Sequence, residues 1–231
     1  RLEGCARGVG LDVSDVDAYR AAIDDIESEF GGIDIVVNNA GIMPVGPLLN
    51  ESPAVAAAAM NVNFWAHYHA FQILAPRMIG RGQGHFINIT SAAGGIHPPG
   101  LASYVATKHA ATGFGRSARE ELQGTGVTLS VVMPSAVKTE LVDGIRFNWW
   151  ERLGIISPDR VARRAVGTLQ KRPPVVGAPA GTVALLRLYP VIPERLWLWG
   201  RGLVGADRTL EPYDHEARAA YDGRIQRQVT K

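Results

Sequence analysis

The sequence predicts an α/β fold: a doubly wound parallel sheet in three layers, helices on both faces, with its site along one edge of the sheet. Three observations lead there. Short apolar runs alternate with longer stretches of helical period. The runs are continuous rather than alternating, as strands covered on both faces must be. Each run also empties into a loop of polar, glycine-rich or proline-rich chemistry, and open α/β sheets bind ligands at such carboxyl edges. At 231 residues and 46% hydrophobic content the chain is long enough for one well-filled domain.

The elements follow in order. Val9 to Val13 (VGLDV) reads as a strand, and Ser14 with Asp17 reads as the start of a helix. Val16, Tyr19, Ile23, Ile26 and Phe30 then recur every three or four residues with acidic residues between them, an amphipathic surface helix that Gly31 and Gly32 end. Ile33 to Val37 (IDIVV) is the next strand and runs into Asn38-Asn39-Ala40-Gly41. Asparagine amides there can tie neighbouring strands together, and Gly41 lets a ligand approach the backbone.

Ser52-Pro53 suits the cap and first turn of a long helix, and Ala54 to Ile79 is uncharged until Arg77, so burial nearly all round is expected. Asn61 and Asn63 are its polar exceptions; each is either a satisfied core amide or a side chain that opens the helix locally and holds a water. His67 and His69 are two apart and point to different sides, which makes a metal pair improbable and leaves packing or interface roles. His85 to Thr90 is the central strand and ends at Ser91. The helix that follows, to Leu122, carries Tyr104 and Lys108 four apart and therefore on one face. A lysine ammonium beside a phenol favours the phenolate, and a lowered pKa would let Tyr104 trade a proton with an alcohol or ketone. Ser91, with its hydroxyl beside the phenol, would hold the substrate oxygen.

Val127 to Met133 (VTLSVVM) is another buried strand and ends in Pro134-Ser135-Ala136-Val137-Lys138-Thr139. Ser157-Pro158-Asp159 opens a helix to Lys171, and Pro174 to Val176 supplies a last strand. Residues 1–178 then form the sheet domain and 179–231 a C-terminal extension packed on it. Within that extension Val183 to Val204 mixes Leu, Trp and Tyr with Arg187, Arg195 and Arg201. It can cover the pocket, clasp a second subunit or lie on a membrane surface, and an interface or lid is favoured over lipid. Prolines 190 and 193 exclude a bilayer span. Residues 206–231 read as a surface helix or loose end.

Composition narrows the function. The formal charge of +2, with Lys and Arg scattered, argues against nucleic acid as a partner. A lone Cys5 excludes an internal disulfide and, with no secretory signal in view, suits the cytoplasm.

Taken together, Asp12-Val13, NNAG at 38–41, Asn63 in VNFWA, Ser91 in ITSAAG, Tyr104-x-x-x-Lys108 and PSAVKT at 134–139 resemble, in order and spacing, the short-chain dehydrogenases/reductases. The resemblance covers roughly residues 9 to 170 and is nearest to a bacterial subgroup with an extended apolar C-terminus. It implies a Rossmann-like fold and an oxidoreductase that uses NAD or NADP to interconvert alcohols and ketones or aldehydes. It further implies that Tyr104 is the general acid/base, that Lys108 holds the nicotinamide ribose and lowers the Tyr104 pKa, and that Ser91 positions the substrate oxygen. Asn63 would anchor a water that links Lys108 to solvent. Asp12 and Val13 would lie near the adenine, Asn39, Ala40 and Gly41 near the adenosine ribose, and Pro134, Val137 and Thr139 against the nicotinamide amide. Ser135 departs from the usual glycine.

Ala93, His97, Phe147, Trp149 and Trp150 are the further substrate-side candidates, the last three in the stretch Glu140 to Ile156 where the family has its substrate-covering loop. An apolar substrate and a homodimer or homotetramer, built through the long uncharged helix and the Tyr104 helix, are expected. The family's first strand and glycine-rich turn are not in the sequence, so residues upstream of Arg1 are expected to be missing from it. Two other classes compete: a non-catalytic or truncated cofactor-binding homologue, and a serine hydrolase built on Ser91 and a histidine, which lacks the G-x-S-x-G elbow.

Overall fold

In the computed structural model, which describes residues 6–145, 147, 152, 154–204 and 214–230, four strands form one parallel sheet. They are β1 (Ile35–Asn38), β2 (Gly84–Ile89), β3 (Val127–Pro134) and β4 (Val175–Ala178), hydrogen-bonded in that order. The register pairs Asn38 with Asn88, Ile89 with Val132 and Pro134 with Ala178, which aligns the carboxyl ends at one edge. The helices are α1 (Val16–Phe30), α2 (Pro53–Met60), α3 (Ala66–Arg81), α4 (Ala102–Glu121), α5 (Pro158–Val166), α6 (Thr168–Lys171), α7 (Thr182–Leu188), α8 (Glu194–Val204) and α9 (His215–Val229).

Strand residues alternate between two covered faces. Phe86, Leu129 and Val131 pack against Ile73, Leu74 and Met78 of α3 and Ala118 of α4. Ile87, Ile89 and Val132 pack on the opposite side against Val161 and Ala165 of α5 and Leu169 of α6. All six residues of β2 are buried, which explains its unbroken apolar sequence. α4 reaches the sheet closely at Gly115, where a Cβ would lie 2.8 Å from a Val131 methyl.

Several expectations need correction. Val9 to Val13 is irregular chain, and the residue that caps α1 is Asp15, whose carboxylate accepts from the Asp17 and Ala18 amides. A strand exists only through a neighbour, and no described strand lies beside this segment. For the same reason β1 is an edge strand: Ile35 and Val37 are about half exposed. Asn61 is exposed, as is Trp65, so the long uncharged stretch is not buried all round. The helix expected to reach Lys171 divides at Gly167 into α5 and α6.

The last departure is α9. Its charged sequence reads as a surface helix, yet it buries Arg218 completely and packs Tyr221 and Ile225 against Val55 of α2, with Ile42 and Leu141 beside them.

Candidate active site

The site is assembled from the loops after β1 and β2, the buried side of α4 and one interrupted helix. Between α2 and α3 the chain makes a π turn over Asn61–Trp65, where the Ala66 amide donates five residues back to the Asn61 carbonyl. Such a bulge re-aims side chains within an otherwise regular helix. Asn63 sits in it, fully buried, and its amide is completely used. Its Oδ1 accepts from the Ile42 amide at 2.8 Å, and its Nδ2 donates to the Ile42 carbonyl at 2.8 Å and to Thr107 Oγ1 at 3.0 Å. One side chain therefore clasps the loop after β1 to α4. Asn38 adds the strand tie expected of this loop, donating to Asn88 Oδ1 at 2.8 Å.

Tyr104 and Lys108 lie on the buried side of α4. A hydrogen bond joins the Ser91 and Tyr104 hydroxyls, and Ser91 Oγ also accepts from the Ala93 amide at 3.1 Å. Lys108 Nζ stands 5.6 Å from the centre of the Tyr104 ring and donates to the Ile89 carbonyl at 3.4 Å. Gly41 faces this group: a Cβ there would sit 3.3 Å from Asn63 Oδ1 and 3.6 Å from Lys108 Nζ. The loop carrying Ser91 is drawn onto α4 at Gly94, where a Cβ would meet Thr112 Oγ1 at 2.5 Å. Four side chains from distant parts of the chain, Asn63, Ser91, Tyr104 and Lys108, thus meet at one end of the sheet.

The electrostatics differ from expectation in one respect. Burial pushes the Tyr104 phenol up to about 12; the Ser91 hydrogen bond opposes this and the nearby Tyr221 adds to it. The Lys108 ammonium, 5.6 Å from the centre of the ring, is not among the groups that move the phenol, and burial brings Lys108 itself down to about 8. His67, on the same stretch as Asn63, is brought down to about 3 by burial and then by the Lys108 charge, and neither ring nitrogen has a hydrogen-bond partner among the described residues.

The remaining candidates are distributed around this centre. Asn39 and Ala40 are exposed and Gly41 half-buried, so the loop after β1 is open to a ligand. Pro134 is buried, and Val137 and Thr139 are half-buried in the loop after β3. Ser135 occupies the unusual position by donating to the Gly154 carbonyl at 2.6 Å. Asp12 folds into a local turn, its carboxylate accepting from the Ser14 amide and hydroxyl, with Val13 half-buried beside it. Ala93 packs with Met43, Tyr104 and Val105. His97 is exposed, stacks on His109 of α4 at 5.1 Å and shares a 3.1 Å hydrogen bond with Tyr189 of the C-terminal extension, so its partners are not Ser91 or Tyr104. Phe147 is half-buried; Trp149 and Trp150 lie outside the described residues. Among the described side chains no histidine is hydrogen-bonded to Ser91.

Two residues were not anticipated. Arg218 donates to the Leu141 carbonyl at 2.8 Å, to Asp143 at 3.2 Å and to Met43, and it pairs with Asp222 at 3.0 Å. The Tyr221 hydroxyl accepts from the Met43 amide at 2.9 Å. Together they close the wall beside Tyr104 from the far end of the chain. An arginine four residues before an aspartate on a helix was the available signal, and it is indistinguishable from an ordinary surface pair.

A parallel three-layer sheet with a Ser, Tyr, Lys and Asn cluster at its carboxyl edge defines a Rossmann-like α/β protein. The chain belongs to the short-chain dehydrogenase family, whose model, described as short chain dehydrogenase, matches residues 1–148. It is similar to 1-deoxy-11-beta-hydroxypentalenate dehydrogenase of Streptomyces exfoliatus, with 37% identity over 140 residues, 59% of this chain and 51% of that protein. It is also similar to the 3-oxoacyl-acyl-carrier-protein reductase FabG of Staphylococcus aureus, with 32% identity over 137 residues, 59% of this chain and 56% of that one. The chain thus spans about half the length of these curated relatives. Among solved structures, a gluconate 5-dehydrogenase from Burkholderia cenocepacia J2315 in complex with NADP and tartrate superposes with a TM-score of 0.68 at 28% identity, covering 75% of this chain and 74% of that one.

Proposed function

We propose that the protein is an NAD(P)-dependent oxidoreductase that interconverts an alcohol with a ketone or aldehyde on a hydrophobic substrate. The single observation that carries this reading is the convergence of Ser91, Tyr104, Lys108 and Asn63 beside the open loop after β1. Family membership and the NADP held by the gluconate dehydrogenase neighbour support it.

The residues fit the nicotinamide end of such a cofactor. Gly41 leaves backbone clear above Lys108, and among the described residues Lys108 donates only to the Ile89 carbonyl, which leaves ammonium protons for ribose hydroxyls. When bound, the nicotinamide supplies or accepts the hydride. The protein's own part is the proton and the geometry. Ser91 and Tyr104 hold the substrate oxygen between two hydroxyls, and Tyr104, protonated at rest, donates to a carbonyl oxygen or takes the proton back from an alcohol. Lys108 must approach the phenol oxygen to favour that second direction. Asn63 keeps the loop after β1 against α4, so the two sides of the site do not separate.

In this reading Asn39, Ala40, Gly41, Pro134, Val137 and Thr139 line the cofactor groove, with Asp12 and Val13 at its adenine end. Ala93 and Phe147 border the substrate, with residues 179–231 an extension packed on the domain of 1–178. A homo-oligomer would use α4 and the long uncharged helix, where Trp65 at the end of the π turn and Ile79 of α3 are 41% and 42% exposed. The test is direct: NADP(H) or NAD(H) raises the melting temperature and supports turnover of medium-chain or cyclic ketones and alcohols. Nucleotide binding without turnover on any such panel leaves the non-catalytic homologue as the reading.

A further inference from the structure

We propose that α7 and α8 form a docking surface for an anionic lipid bilayer. Both helices carry their apolar side chains outward. Leu185 and Leu188 of α7, Val191 in the connecting turn, and Leu196, Leu198 and Trp199 of α8 are 70, 57, 70, 54, 47 and 65% exposed. Their inner sides are occupied. Leu186 packs against the sheet core, and Tyr189 meets the Trp197 ring edge-on at 4.8 Å while its hydroxyl bonds His97. The outward residues therefore belong to helices already seated on the fold, and their concentration within 185–199 exceeds the scatter of single apolar residues normal on a surface.

Charge decides what covers them. Arg187 and Arg195 are exposed in the same stretch, Arg201 follows, and Glu194 is the one carboxylate between positions 182 and 204. A two-fold pairing of this face with a second copy would set each arginine patch against itself with too few carboxylates to offset it. Anionic headgroups pair with the arginines, while Leu and Trp side chains enter the boundary between headgroups and acyl chains. The helices, 7 and 11 residues long and separated by prolines, lie on a bilayer rather than cross it, and no described helix is long and apolar enough to cross one. This inference does not rest on the proposed reaction.

The test is co-sedimentation of the purified protein with vesicles of phosphatidylcholine alone and of phosphatidylcholine mixed with phosphatidylglycerol, at low and high salt. We expect binding to the mixed vesicles at least about ten-fold stronger than to the neutral ones, weakened by salt. Leu196→Glu/Trp199→Glu should abolish it, and Arg187→Glu/Arg195→Glu should lower it by more than about five-fold per arginine. Failure to bind either vesicle, or equal binding to both at every salt concentration, overturns the proposal whatever the variants do. Light scattering that shows a dimer which Trp199→Glu converts to a monomer also overturns it, and assigns the face to a second copy.

Discussion

Helices α4 and α8 break the ordinary rule of burial in opposite directions. α4 turns Tyr104, Thr107, Lys108 and Thr112 inward, and α8 turns Leu196, Leu198 and Trp199 outward. The inward case is the costly one. A buried ammonium loses its water, which is why Lys108 is brought down to about 8, and among the described residues its one hydrogen bond, to the Ile89 carbonyl at 3.4 Å, offsets only part of the cost. The outward case is cheap to maintain in water, because exposed apolar area costs little beyond the burial it forgoes. Inverted polar groups therefore carry a standing cost inside the fold, whereas an inverted apolar face can stay bare until something covers it.

The comparison predicts a steep ranking of mutational effects. The largest should come from Tyr104→Phe, which removes the hydroxyl proposed to carry the proton while keeping the ring beside Lys108. Turnover should fall by roughly a thousand-fold, the scale of lost acid/base catalysis, with nucleotide affinity measured by calorimetry nearly unchanged. A variant retaining more than about a tenth of the rate would mean that another group moves the proton.

Arg218→Met comes next. It strips hydrogen bonds from the Met43, Leu141 and Asp143 carbonyls and leaves Asp222 without its pair, so chemical denaturation should show a loss of about 3 kcal/mol. A loss under about 1 kcal/mol would show that α9 is only loosely docked.

Third, His67 is a pH-sensitive weakness. Its folded pKa of about 3 lies below the usual value of 6.5, so the folded state binds the proton less readily than the unfolded chain does. Stability is then fully present above pH 6.5 and lost as pH falls toward 3, with a slope approaching about 1.4 kcal/mol per pH unit from this group alone. His67→Phe should remove that part of the acid limb in melts between pH 6.5 and 4; an unchanged limb would place the titration elsewhere. His85, brought down to about 4 chiefly by burial, adds a contribution of the same sign that the variant leaves in place.

The smallest effect belongs to α8. Trp199→Ser should shift stability by less than about 0.5 kcal/mol, since the ring is mostly in solvent. A larger destabilisation would show that the outward face is already covered in solution.

What could be read in advance divides along the same line. β2, β3 and α4 were legible because a fully covered strand has to be apolar throughout and because Tyr104-x-x-x-Lys108 places two functional groups on one helical face. Asn63 was legible as an amide in an apolar helix; of the two readings offered, its side chain is a satisfied core amide, bonded to Ile42 and Thr107, and it sits in a π turn. The segment 9–13 misled because a strand is a relation between two segments, and sequence displays only one. Arg218 and Tyr221 were invisible because their partners are mostly backbone groups of Met43, Leu141 and Asp143, which no side-chain pattern announces. The upward displacement of the Tyr104 phenol was missed because it comes first from burial, and helical spacing shows that a cation is near but not how completely the phenol is removed from water.

The π turn at Asn61–Trp65 carries a further consequence for how this protein can vary. It holds one residue more than an α-helical turn needs, and that surplus lets Asn63 face Ile42 and Thr107 while α2 and α3 each stay seated. Losing a single residue anywhere in that turn would heal the helix into a more regular rod with α2 and α3 still close to phase, yet it would take Asn63 away from Ile42 and Thr107. Shortening is thus far more damaging here than replacement, and the stretch from 61 to 65 should accept a change of letters much more readily than a change of length.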